Sequence, residues 1–282
     1  MLLVAVLRRT RWLKLTFAAD RANLCRMIET SLMRRDALRI LGAGAGALAL
    51  SACAGKTIPM PPPADPAAFL DAIAWRLIAL RPEGATSLGI DTGEHAGMRA
   101  LLDDRSPAGI ARTVAAIRQD LAAVERFDST GLDATTRTSF NVVRSAYATA
   151  LDGFALPYGD VSVGGWRNTP YVVIQNVGAY LDIPRFLDSD HPVRDARDAE
   201  AYLSRLAGMP AALDGELARM KSAAAAGLIP PDFLLAKTAS QLGRSIESGR
   251  TGGDMVESLM RRTQSIPGDW GARARAEEEA LR

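Results

Sequence analysis

The chain has very little cysteine and histidine. Its two cysteines, Cys25 and Cys53, both lie in the first fifth of the 282 residues, so the remainder cannot form an internal disulfide bond. The two histidines, His95 and His191, are far apart, and the sequence contains neither an H-E-x-x-H motif nor a Cys/His cluster. No zinc site can therefore be recognised from a motif in this chain.

Aromatic residues and long apolar runs are also scarce. Aromatics make up 6% of the chain, whereas 48% of its residues are hydrophobic, with many alanines and leucines. This composition predicts an all-α globular protein. The formal net charge of +2 gives no reason to expect nucleic-acid binding, because many of the positive residues precede Cys53.

The residues near the N-terminus predict an export signal. Arg34 and Arg35 are followed by a weakly apolar run rich in glycine and alanine, 40–52, and then by Cys53. About 13 apolar residues are too few to span a ~30 Å hydrocarbon core. The order is instead typical of a twin-arginine signal that ends in a bacterial lipobox. We therefore expect residues 33–53 to direct export, and Cys53 to carry a lipid that anchors a periplasm-facing protein to a membrane of the cell envelope.

The segments around this signal suggest a leader, a tether and a body. Residues 1–32 are basic and unusual in front of such a signal. Either translation begins at Met33 and 1–32 is a gene-start artefact, which we favour, or the export signal has an extended first region. Residues 54–64 are rich in proline and predict a stiff, extended tether. Residues 65–282 are predicted to form the folded body.

The body reads as a series of helices. Asp65-Pro66 and Ser106-Pro107 each place a capping residue before a proline, which is typical of a helix start. Apolar stripes predict a helical hairpin over roughly 107–127 and 133–154. Pro210 lies inside a long helix that starts near Ala196, and predicts a kink or a break near Gly208. Three later helices are expected. Pro230-Pro231 opens the first, which runs through Ile246, Asp254 caps the second, which runs to about Gln264, and the third follows Asp269. Residues 90–98 are predicted as a loop.

Residues 155–193 differ from the rest because aromatics, glycines and prolines concentrate there, and we expect an irregular segment. Residues 171–177 fit a buried helix or a short strand equally well. Trp166, Arg167, Asn168 and Tyr171 follow two glycines and carry stacking and hydrogen-bonding groups, so they are a candidate wall of a ligand cleft. The plainer interpretation is an aromatic cluster that fixes a loop to the helical core.

No catalytic residue is predicted. His191 is interpreted as a loop histidine bonded to a neighbouring aspartate, with a metal-binding or acid–base role as the alternative. Ser162 is not at a nucleophile elbow, because that turn needs glycine two residues before the serine and Asp160 stands there.

Several blocks of the body resemble a known family. Residues 165–192, 198–206 and 229–238 resemble the bacterial "domain of unknown function 885" family, and residues 87–93 and 266–270 look similar too. The resemblance spans roughly 65–282 and implies a largely α-helical fold similar to zinc metallopeptidases, whose H-E-x-x-H motif lies in a C-terminal half that this chain does not include.

The resemblance implies that this chain is the N-terminal portion of an exported metallopeptidase-like protein. Zinc and a peptide substrate would then belong to the full-length form, and the chain would be inactive alone. A helical region divided at that point should also leave an apolar face uncovered. The alternative is a non-enzymatic envelope lipoprotein whose helical body binds a ligand or a partner.

Overall fold

The computed structural model describes residues 65–163, 168–250 and 253–280, which belong to one compact unit, Pro62–Arg282. Arg34, Arg35, Cys53, Trp166 and Arg167 lie outside the described residues. Within the described ranges the chain forms nine α-helices, one 3-10 helix and two isolated bridges, which confirms the predicted all-α class. None of these helices is long and apolar enough to cross a bilayer.

The helices are numbered in chain order. They are α1 (Pro66–Ala79), α2 (Pro82–Ser87), the 3-10 helix (Gly93–Ala100), α3 (Pro107–Arg126), α4 (Ala134–Phe154), α5 (Ala179–Ser189), α6 (Ala196–Ala225), α7 (Asp232–Arg250), α8 (Asp254–Arg262) and α9 (Trp270–Ala280).

The first half of the fold is an apolar bundle of α1, α3 and α4. Ser106 caps α3 by accepting the N–H of Gly109 at 3.1 Å, as the Ser-Pro pair predicts. The predicted hairpin of α3 and α4 is present, and α1 packs on both of its helices. Three phenylalanines meet in the centre, with ring centroids 4.6 Å apart for Phe127 and Phe140 and 5.6 Å apart for Phe69 and Phe140.

The second half packs α5 and α9 on the long helix α6, and α8 on α5 and α9. Tyr202, Leu206 and Leu259 are fully buried there, and the Tyr202 hydroxyl donates a hydrogen bond to the Met255 carbonyl at 2.8 Å. Helix α7 is attached more lightly. Most of its residues are exposed, and Phe233 near its start is 62% exposed.

Four local expectations are corrected by the structure. Residues 93–100 form a 3-10 helix, so the loop predicted over 90–98 is partly wrong. Helix α6 continues through Pro210, so a break near Gly208 is wrong. The irregular segment at 155–193 contains α5, an eleven-residue helix that includes Pro184. Residues 171–177 are neither helix nor strand, but turns joined by one Ile174–Val177 bridge.

These differences share a physical cause. Proline costs a helix one hydrogen bond and a steric clash, but Met209 and Ala212 on either side of Pro210 are buried in the core cluster that also contains residues of α5, α8 and α9. Tertiary packing therefore outweighs the local penalty at this position.

Candidate functional site

An open groove of about 880 Å³ lies between α4 and the connection that follows it. One wall is the outer face of α4, and the other is built from residues 156–162 and 168–170. The side chains that α4 contributes are small and uncharged: Thr138, Asn141, Val142, Ser145 and Thr149. Concave sites of this size are in the range that holds small ligands.

The connection is held in place by a short backbone pairing. Asp160 and Thr169 exchange two hydrogen bonds, with N···O distances of 2.8 and 3.1 Å. Gly159 has φ +96°, and a Cβ there would lie 2.9 Å from the Thr169 carbonyl oxygen. Only glycine is accommodated without a shift, since L residues rarely adopt this φ.

Helix α6 supports the same connection from behind. Arg219 is largely buried, and its Nη2 donates to the Asp160 carboxylate at 2.6 Å and to the Gly159 carbonyl at 3.0 Å. The one carboxylate among the described groove-lining residues is therefore already paired with an arginine.

Asn168 lies in the groove wall and has a defined role. Its Oδ1 accepts the backbone N–H of Ser162 at 2.9 Å, and this bond joins the two parts of the connection. Ser162 also accepts a hydrogen bond from Nη1 of Arg81 at 3.0 Å. A serine hydroxyl held by an arginine donor is no activated nucleophile, in keeping with the missing elbow.

The other candidate cleft residues are placed differently. Tyr171 is half-buried and is absent from the described groove lining; its carbonyl accepts the Thr169 hydroxyl at 2.5 Å. Trp166 and Arg167 fall outside the described residues. Sequence reasoning missed the α4 face, because small polar residues on an amphipathic helix normally indicate a solvated surface.

A second unusual feature is a buried arginine. Arg205 on α6 has no exposed surface and reaches three preceding elements. Its Nε donates to the Leu101 carbonyl at 2.8 Å, and its Nη2 donates to the Thr86 hydroxyl at 2.7 Å. Burial lowers the pKa of Arg205 to about 10, so the side chain remains charged at neutral pH.

His191 is part of this cluster. Nη1 of Arg205 lies 2.7 Å from His191 Nδ1, and His191 Nε2 lies 2.9 Å from the Asp198 carbonyl oxygen. Because Arg205 can only donate and a carbonyl can only accept, Nδ1 is the acceptor and Nε2 carries the proton. Burial lowers the pKa of His191 to about 4, so the ring is neutral.

The expected role of His191 is therefore partly corrected. It is a structural loop histidine, as the preferred interpretation held, but its partners are Arg205 and a backbone carbonyl and not a neighbouring aspartate side chain. Both ring nitrogens are used, so His191 is not available as a metal ligand.

A carboxylate–arginine chain extends the cluster to the surface. Nε and Nη2 of Arg99 bind the Asp91 carboxylate at 2.9 and 2.8 Å, and its Nη1 binds Asp198 at 2.7 Å. Asp91 also accepts the Thr86 hydroxyl at 2.7 Å. Hydrogen bonds from Arg194 and Arg99 outweigh burial and hold the pKa of Asp198 at about 2. We call Thr86, Asp91, Arg99, His191, Asp198 and Arg205 the buried polar cluster.

A neighbouring arginine gathers further acids. Arg105 lies 3.0 Å from Glu83 and 3.1 Å from Glu216, and the other Glu216 oxygen accepts the Ala179 N–H at the start of α5 at 2.8 Å. Burial and the Glu83 carboxylate raise the pKa of Asp103 to about 6. The bonds of these acids connect α2, α5 and α6. Each carboxylate is bonded to an arginine or to a backbone N–H.

The described residues do not fit a zinc ion. They include no group of three or more His, Cys, Asp or Glu side chains arranged to hold a metal. His95, the other histidine, stacks on Trp75 with ring centroids 3.8 Å apart. We therefore derive no catalytic step through zinc for these residues.

Comparison with known proteins decides the family. Residues 82–282 match the family described as "Bacterial protein of unknown function (DUF885)", which is more than half of the chain. The chain belongs to this family. The resemblance drawn from the sequence blocks is confirmed. No curated protein matches the sequence.

The fold of this DUF885 chain is also similar to a solved structure. "The crystal structure of the putative lipoprotein from Colwellia psychrerythraea" matches with a TM-score of 0.62 at 16% identity, over 75% of this chain and 38% of that chain. At this identity the likeness shows the fold alone. The DUF885 chain spans well under half the length of the Colwellia protein.

Proposed function

We propose that this DUF885 chain is the helical N-terminal region of an exported, lipid-anchored protein that resembles zinc metallopeptidases. In this proposal the region supplies a ligand-binding wall, and the zinc and the hydrolytic groups belong to another part of the full-length protein. The observation that carries the proposal is the groove between α4 and residues 156–162 and 168–170, which has the size of a ligand site.

Two further observations support parts of the proposal. The Colwellia protein with the similar fold is described as a "putative lipoprotein" and is much longer than this chain. The order of Arg34, Arg35 and Cys53 is typical of a twin-arginine signal with a lipobox. Together they favour lipid attachment at Cys53 and a location facing the periplasm.

The alternative is a non-enzymatic envelope lipoprotein that binds its ligand without converting it. The groove supports this function equally directly, since the residues that line it offer hydrogen bonds and apolar contact but no activated nucleophile. Metal content separates the two proposals.

The first experiment is an intact-mass measurement on the native protein extracted from its membrane. We expect a diacylglyceryl group on Cys53, a species heavier than the 30.1 kDa of this chain, and about one zinc ion per protein. Cys53→Ser should release the protein from the membrane, and Arg34→Lys with Arg35→Lys should stop its export.

Each outcome favours or removes one part of the proposal. A lipidated, heavy species that holds no zinc would support the non-enzymatic alternative. A lipidated species no heavier than residues 53–282 would remove the metallopeptidase proposal. A native protein without lipid would remove the anchor and the envelope location together.

A further inference from the structure

The groove has a distinctive hydrogen-bonding character, because its side-chain amide and carboxylate oxygens are already bonded to donors of the protein. Asn168 Oδ1 accepts from the Ser162 N–H at 2.9 Å, and Asn141 Oδ1 accepts from Arg144 Nη1 at 2.9 Å. In both cases the partner can only donate, so the bonded atom must be the amide oxygen. The Asp160 carboxylate is paired with Arg219, as described above.

Fixing both amide oxygens leaves the amide N–H groups for a ligand. Each of Asn141 and Asn168 carries two such donors. Ser162 accepts from Arg81, which leaves its own hydroxyl proton free to donate. Ser145 and Thr149 add hydroxyl groups along the same face of α4. Thr138 and Thr169 give their hydroxyl protons to the Ala134 and Tyr171 carbonyls and can only accept from a ligand. The groove therefore presents amide and hydroxyl donors beside a few hydroxyl acceptors.

The same groove offers apolar surface. Val142, Leu156 and Tyr158 all line it and are 60%, 51% and 39% exposed. They are three of the exposed large hydrophobic side chains in the described part of the chain, brought together from α4 and the connection. A ring with a polar tip, such as Tyr158, suits a ligand that is apolar on one face and polar at its edge.

Charge limits the class of ligand further. No lysine or arginine is among the described lining residues, and the one carboxylate, Asp160, is negative. Arg81 and Arg144 reach the groove only through bonds to Ser162 and Asn141, so an anionic ligand would have to compete with these bonds and would also meet Asp160. A peptide would bring a backbone N–H at each residue, whereas the remaining acceptors are a few hydroxyl oxygens.

We propose that the groove binds a segment of an uncharged glycan. Sugar hydroxyl, ring and acetamido oxygens accept the donors of Asn141, Asn168 and Ser162, while the C–H face of a pyranose ring packs on Tyr158. Because each sugar hydroxyl can also donate, a glycan meets the few remaining acceptors as well. The inference rests on the proposed function in one respect, that the groove is a ligand site, and names the ligand's class.

The test is calorimetric binding to the full chain purified in a detergent without a sugar head group. The probes are chitotetraose, N-acetyl-tetraalanine amide and inorganic phosphate. We expect saturable binding of chitotetraose and no binding of the other two.

Two variants remove donors and keep the structural bonds. Asn141→Asp and Asn168→Asp each retain the oxygen that accepts from Arg144 or Ser162, and lose the amide N–H groups. Each should weaken chitotetraose binding by about tenfold, the size of one lost hydrogen bond to a ligand. Gln264→Glu makes the same amide-to-carboxylate change at an exposed position that is not among the groove-lining residues, and should bind normally. Thr149→Val provides a neutral variant of the same face, and should weaken binding severalfold.

The remaining outcomes all count against the inference. Chitotetraose binding that is unchanged in Asn141→Asp, Asn168→Asp and Thr149→Val would place the glycan elsewhere. Tetraalanine or phosphate binding in its place would overturn the glycan and leave the groove as a ligand site, so the proposed function would stand. No binding of any probe would overturn both the glycan and the groove's role, while the lipid and mass measurements would still test the anchor separately.

Discussion

The two halves of this helical body are held together by different forces. The bundle of α1, α3 and α4 has a centre of phenylalanine rings, and its buried carboxylate, Asp120, is paired with the partly exposed Arg76. In the half built on α6, a fully buried arginine and a neutral histidine lie beside the apolar core. Apolar packing depends on shape and area, whereas a buried charge depends on having every hydrogen bond satisfied. A single substitution should therefore change the free energy of unfolding differently in the two halves.

The largest effect is expected at Arg205. Arg205→Ala should lower the free energy of unfolding by about 4 kcal/mol, because the Leu101 carbonyl, the Thr86 hydroxyl and His191 Nδ1 lose their donor inside the protein. Urea unfolding measures the change.

Two matched variants sharpen that result. Arg205→Lys keeps the charge but lacks the planar guanidinium group, which donates several hydrogen bonds at once. It should therefore restore only part of the lost free energy of unfolding. Arg205→Met keeps the volume without the charge. If Arg205→Met were as stable as the unchanged chain, the buried polar cluster would not stabilise the fold, and the contrast between the halves would disappear.

The next effect is expected in the apolar half. Phe140→Ala should cost roughly 3–4 kcal/mol, since Phe140 is 1% exposed and contacts Phe69 and Phe127. The loss should be the same at pH 4.5 and pH 7, because no ionisable side chain is part of this ring cluster. A loss that varied strongly with pH would show that the ring cluster is coupled to the Arg76–Asp120 ion pair of the same bundle.

A smaller effect distinguishes the halves by pH. His191 takes up a proton near pH 6.5 when unfolded but only near pH 4 when folded. The unfolded state then binds more protons between these values, so the contribution of His191 is complete above pH 6.5 and is lost as pH falls towards 4. The loss amounts to about 3 kcal/mol across this window.

Asp103 acts in the opposite direction in the same window. Its folded pKa of about 6 lies above the ordinary value of 3.8, so the folded state binds the proton first and is stabilised as pH falls from 6 towards 4. His191→Gln removes only the first contribution. We expect this variant to gain stability relative to the unchanged chain as pH falls, measured by urea unfolding from pH 7 to 4.5. Parallel curves for the two proteins would contradict a neutral, buried His191.

The two halves also differ in how well the sequence predicts them. The α3–α4 hairpin was predicted because its apolar residues repeat at helical spacing and its caps are local, as with Ser106 and Gly109. The buried polar cluster joins residues more than a hundred positions apart, such as Arg205 with Leu101 and Thr86, and no local pattern encodes such a pairing. One signal was present: Arg205 lies on the same stripe as Tyr202 and Met209, where an apolar residue is expected.

The candidate site was predicted only in part, for a related reason. Asn168 lies in the groove, but the opposite wall is a helix face 19–30 residues earlier in the chain, from Thr138 to Thr149. A row of threonine, serine and asparagine on a helix indicates solvent exposure, and it becomes a groove wall only when the connection folds back along it. Gly153 shows how close this approach is, because a Cβ there would lie 3.1 Å from Val161.

The smallest effect concerns the contact between the two halves. Gly215 on α6 packs directly on the start of α3, and a Cβ at this position would lie 2.8 Å from the Ser106 nitrogen and 2.9 Å from its Cα. Backbone atoms at a helix start cannot move aside easily, so Gly215→Ala should cost about 2 kcal/mol by overpacking, despite the better helix propensity of alanine. Gly243→Ala on α7 is the matched control, since nothing lies within 4 Å of its Cβ, and it should stabilise the chain by about 0.5–1 kcal/mol. Opposite signs in urea unfolding would show that α3 and α6 are packed rigidly against each other; a gain in both variants would mean that the two halves can separate to admit a methyl group.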